Sequence, residues 1–141
     1  MTSTTENEEN AAIRTLALVG QANSLVAAGD LAKAREAAQQ ALAFQPPPHM
    51  AAAAHAIIGD AIVEDAAAKK LSGAQLPDAL LDAILEYLRV ENQYPARAQV
   101  EGRALLRAGE CFQKLSTMPG RAGSDDRERA VALFGKLNSD K

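Results

Sequence analysis

Residues 16–46, LALVGQANSLVAAGDLAKAREAAQQALAFQP, constrain the fold more than any other part of the chain. Apolar residues recur there every three or four positions, the spacing of one face of an α-helix. Small residues Ala22, Ala34 and Ala41 stand where two antiparallel helices must approach closely. Gly29-Asp30 supplies the turn between them, because glycine accepts positive φ and aspartate bonds a nearby backbone N–H. Pro46 then stops the second helix. A chain written this way builds helix hairpins. The pattern recurs with drift, since Gly59 stands 37 positions after Ala22 and Pro95 stands 49 after Pro46. The 31 alanines and the absence of tryptophan favour closely packed helices over a core of large aromatics.

Helical periodicity and its breakers divide the rest. Residues 1–10, MTSTTENEEN, carry no hydrophobic segment and read as a polar leader that is disordered or only frays into the first helix, with residues 11–141 as the folded domain. The first helix is expected over Ala11–Ala28 and the second over Leu31–Phe44, closed by Pro46-Pro47-Pro48. That triplet is a rigid turn between units, with a polyproline ligand as the alternative. A third helix is expected over His49–Leu71. Next comes an insertion around DAAAKKLSGAQLP, where Gly59 and the small residue Ala83 lie 24 positions apart against 12 for Ala22 and Ala34. A fourth helix starts at Pro77-Asp78 and buries Leu80, Ala83, Ile84, Tyr87, Leu88 and Val90 before Pro95. A fifth carries Leu105, Ala108, Gly109 and Phe112 as its packing stripe. The last opens on a capping box, Asp125 with Glu128, and packs through Ala130, Leu133, Phe134 and Leu137. The expected fold is all-α, with six helices in three units over about residues 11–46, 49–95 and 97–138.

This arrangement resembles the tetratricopeptide repeat (TPR), a helix-turn-helix unit of about 34 residues that stacks into a solenoid. The likeness covers roughly residues 12–138. Over residues 79–115 it is finer, because QYPARAQVEGRALLRAGECFQKL looks like bacterial TPR proteins of the envelope-assembly and cell-division-coordinator type. The resemblance implies a protein that holds other polypeptides in a concave groove lined by the first helix of each repeat. Its partner is then a protein or peptide, and the chain acts as an adaptor, scaffold or assembly factor.

Few residues offer chemistry. The 15 bases face 18 acids, and without Glu6, Glu8 and Glu9 the body is neutral, so no basic surface recommends a nucleic-acid partner. No apolar run of the length of a membrane span stands out, and the start lacks the basic and apolar regions of a secretory signal. With no lipid-attachment cysteine near the start, the chain reads as cytoplasmic. His49 and His55, six apart, fall on different sides of a helix and do not form a metal pair. Cys111, the lone cysteine, lies between Gly109 and Phe112 as a small buried hydrophobe, with no base beside it to make it a nucleophile. No phosphate loop, metal or cofactor site is read, and no enzyme is expected. Asp78, Asp82 and Glu86 form an acidic stripe at successive i, i+4 positions, a solvated face partly relieved by Arg89, with a docking face for a basic partner as the alternative.

Aligned on the TPR pattern, the groove would present Leu16, Val19, Asn23 and Val26 from the first unit, with His55 or Ala56 and Asp60 from the second. The third unit would add Arg103, Leu106 and Arg107. Some TPR proteins clamp a peptide's terminal carboxylate through a lysine, asparagines and further basic residues. Asn23, Arg103 and Arg107 match that pattern, but Val19 and Ile58 stand where it requires polar groups, which excludes such a clamp. The expected binding set is therefore Val19, Asn23, Val26, Asp60, Arg103 and Arg107: apolar at one end, with two arginines one turn apart at the other, suited to a carboxylate or phosphate. The bland alternative leaves both arginines on a solvated edge, paired with Glu101 or Glu110. A second reading of function is a self-associating scaffold, built by end-to-end stacking through the more apolar first helix.

Overall fold

A computed structural model describes residues 4–93, 98–118, 121 and 125–139. Among them the chain forms six helices and no strand: α1 (Thr4–Ala28), α2 (Leu31–Ala43), α3 (Pro48–Ala68), α4 (Gln75–Gln93), α5 (Ala98–Ser116) and α6 (Asp126–Ser139). α1 starts at Thr4 rather than at Ala11, so the polar leader from Thr4 onward is helical. Glu6, Glu8 and Glu9 then fall near its N-terminal end, where negative charge complements the helix dipole.

Backbone chemistry explains where the helices stop. Gly29, at φ +83°, donates to the Val26 carbonyl at 3.0 Å, and the Asp30 N–H reaches the Leu25 carbonyl at 2.9 Å. Those two bonds close a Schellman turn and send the chain back as α2. α3 ends in the same way, except that Lys70, at φ +52°, takes the left-handed position usually given to glycine. Pro47 caps α3 and Pro48 is its first residue, where a missing N–H costs nothing.

The helices pack as sequential pairs, α1 with α2, α3 with α4 and α5 with α6. α2 also packs on α3 and α4 on α5, while α3 touches α1 and α5. Four neighbours surround α3, and eleven of its residues are buried, most of them alanine, isoleucine or glycine. Small side chains are what allow so many helix axes to crowd one helix. Two glycines mark the tightest approaches. A Cβ at Gly59 would stand 2.6 Å from the Tyr87 ring of α4, and one at Gly109 would stand 2.6 Å from the Phe134 ring of α6. The first helix of each of these pairs thus gives up a side chain so that an aromatic from the second can lie across it.

Gly20 and Gly135 have no such reason, because a Cβ at either would meet nothing within 4 Å. Gly20→Ala and Gly135→Ala should each raise stability by roughly 0.5–1 kcal/mol through helix propensity alone. Urea melts check this, and a loss of stability in Gly20→Ala would mean that its face is covered.

Candidate functional site: an arginine pair on a shared carboxylate

The sequence places Asp60 one residue after Gly59, so the close approach that seats Tyr87 also brings its hydroxyl to Asp60. The Tyr87 hydroxyl donates to Asp60 Oδ1 at 2.6 Å. From α5, Arg103 Nη2 donates to Oδ2 at 3.4 Å, and Arg107 Nε lies 3.9 Å from Oδ1. Arg107 also approaches Glu110, Nη1 to Oε2 at 3.8 Å. One carboxylate, with its side chain only 15% exposed, therefore joins three helices. The arginines remain at the surface, 62% exposed for the Arg103 side chain and 40% for Arg107. Leu106 lies exposed between them in sequence.

Tyr87 is almost wholly buried, and burial first, then the neighbouring Asp60 charge and their hydrogen bond, hold its hydroxyl protonated far above the ordinary range. It serves as a permanent neutral donor. Cys111 sits one turn past Arg107 with 3% exposure, and burial pushes its thiol up to about 11. The unfolded chain loses both protons at lower pH than the folded one, so stability is undiminished below about pH 9 and falls as pH rises toward 11. The cysteine alone accounts for about 2 kcal/mol of that fall. Cys111→Ala should flatten the stability profile between pH 9 and 11, and the native thiol should react with a disulfide reagent only on unfolding. A thiol that reacts at the unfolded rate in native buffer would contradict its burial.

Of the residues expected to bind a partner, the structure unites Asp60, Arg103 and Arg107. Val19, Asn23 and Val26 lie elsewhere, on α1, which does not touch α5 among the described residues. Val19 is a correction: at 8% exposure it belongs to the core, because α2 and α3 both pack on α1. Val26 is half-buried against that core, and only Asn23 is exposed. The acidic stripe is also divided. Asp78 and Asp82 are exposed, but Glu86 is half-buried, accepting from Arg89 at 2.9 Å and lying 2.8 Å from His55 Nδ1. His55 is buried, so this pair ties α3 to α4 within the packing. At the last helix the buried acid is Asp126 rather than Asp125. Arg121 grips it in a fork, Nε to Oδ2 at 2.6 Å and Nη2 to Oδ1 at 2.9 Å.

Searches against protein-family models, curated proteins and solved structures found no match. Function must therefore be argued from the geometry. Among the described residues no three of His, Cys, Asp and Glu converge as metal ligands. The stretch Glu9–Ala28, with mean hydropathy 1.2, does reach the length and apolarity of a membrane-crossing helix, and only 17% of it is buried. That amends the sequence reading, which found no such run.

The sequence marks the arginines and Asp60 but not the third group that shares the carboxylate. Tyr87 was read only as a buried ring. The available signal was its hydroxyl, since a buried tyrosine needs an acceptor and Asp60 is the nearest acid to the glycine its ring covers.

Proposed function

We propose that this chain is a non-enzymatic protein-interaction module of three TPR-like helix pairs, which holds an acidic segment of a partner protein against the α5 surface. The observation that carries this reading is the shared carboxylate. Asp60 is buried enough to fix the guanidinium groups of Arg103 and Arg107, yet one carboxylate cannot occupy ten N–H donors. Two positive charges are thereby preorganised at the surface with donors to spare, which lowers the entropy cost of gripping a carboxylate or phosphate. Leu106 adds an apolar contact beside them. The sequential pairing of helices, with α3 also lying on α1 and α5 on α3, supports the repeat architecture.

Selection of a random peptide library on the immobilised protein should enrich segments in which an acid neighbours an apolar residue. Against the enriched peptides, Arg103→Gln with Arg107→Gln should weaken binding about tenfold to a hundredfold, the scale of one or two charge-assisted hydrogen bonds. Glutamine suits this test better than glutamate, which would set three acids together around Asp60 and confound folding with binding. Unchanged affinity in the glutamine variant would remove the arginine site.

A further inference from the structure

α3 lies on both helices of the pair before it, α1 and α2, and α5 lies on both α3 and α4. A helix continuing the row would lie on α5 and α6. There the surface is a groove of about 430 Å³, lined by Gln113 and Ser116 from α5 and by Arg127, Ala130, Val131 and Phe134 from α6. Val131 is 64% exposed in it. At the other end, α1 has the complementary surplus. Ile13 and Leu16 are 65% and 60% exposed, and Ala17 and Gly20 beside them are exposed too. On the register that sets Ala22 against Gly59, Ala17 and Gly20 correspond to Ala54 and Ile57. Both of those are buried in α3. α1 thus leaves bare the face that α3 keeps covered.

We propose that a second copy of this chain seats its α1 in the α5/α6 groove, head to tail, in the position of a seventh helix. Ile13 and Leu16 supply the ridge, and Val131 and Phe134 the wall. α1 begins with Glu6, Glu8 and Glu9. A membrane is the other apolar surface that α1 could meet, but an acidic start is repelled by anionic headgroups, where an interfacial helix carries lysine and arginine. The proposal is independent of the arginine site, whose residues it does not use.

A ridge on one copy and a groove on the next is a heterologous contact, which does not close on itself. Light scattering of the full chain from about 1 μM to about 1 mM, the span of weak affinities, should show a mass that keeps rising with concentration. Leu16→Lys and Val131→Lys, both at exposed positions, should each lower association at least about tenfold. An equimolar mixture should recover it, but only to complexes of two copies, because the first variant keeps its groove and the second its ridge. Circular dichroism melts confirm the fold of each variant, and Leu16→Gln or Val131→Gln replaces one that unfolds. Three results would overturn the proposal. One is a monomer throughout in the unaltered chain. Another is Val131→Lys associating normally while Leu16→Lys does not, which means α1 pairs with α1. The third is co-sedimentation with phosphatidylcholine–phosphatidylglycerol vesicles, lost in Leu16→Lys, without self-association.

Discussion

Gly59→Leu is expected to lower the stability of the fold by about 3 kcal/mol, the upper end of the usual cost of overpacking, and Gly109→Leu by roughly half as much. Both positions would place a Cβ 2.6 Å from an aromatic ring. What separates them is whether that ring can give way. Tyr87 is 1% exposed, and its hydroxyl is tied to Asp60 at 2.6 Å, so moving the ring breaks a buried hydrogen bond as well as a packing contact. Phe134 has no polar tether, is half-buried, and lies on a helix that among the described residues packs only on α5. Denaturant melts of the two variants give the comparison. Equal losses would mean that Tyr87 is free to shift, and no loss at either site would remove the close approaches altogether.

Asp60→Leu should cost about 1–3 kcal/mol, and most of that loss should disappear when Tyr87→Phe is added. Removing the carboxylate strands a hydroxyl that cannot ionise and cannot reach water. Replacing both partners by apolar groups removes the unmet donor along with its acceptor. The double-mutant cycle isolates this coupling from the salt bridges to Arg103 and Arg107, which are surface-exposed and contribute little to stability on their own. If the two losses simply add, the Tyr87–Asp60 bond does not hold α3 to α4. The same Asp60→Leu variant also unfastens the arginines. Its affinity for acidic peptides then reports whether preorganisation or bare positive charge does the gripping.

Helix positions were legible wherever the chain carries local punctuation. Gly29 and the prolines at 46–48 set the ends of α1 and α2 and the start of α3 to within about two residues, because turn chemistry is a property of a few adjacent residues. The start of α1 was misplaced by seven residues for a related reason: the polar leader lacks a breaker, and polarity alone does not stop a helix. Side-chain orientation was less legible. Val19 and Leu16 are both apolar and three apart, yet one is buried and the other exposed. Only the placement of α2 and α3 decides between them. Asp60 and the arginines lie more than 40 residues apart, and the hydroxyl that holds Asp60 in place comes from a third helix.

Because α6 packs on α5 alone among the described residues, it can detach while the other five helices stay together. Amide hydrogen exchange should therefore be graded along the chain, slowest in α3, which is held on four sides, and fast throughout α6. Gly109→Leu would then speed exchange in α6 with little change in α3, whereas Gly59→Leu would accelerate exchange across every helix. Two chemically identical substitutions at equivalent glycines would thus report two different openings, one confined to a single helix and one of the whole chain.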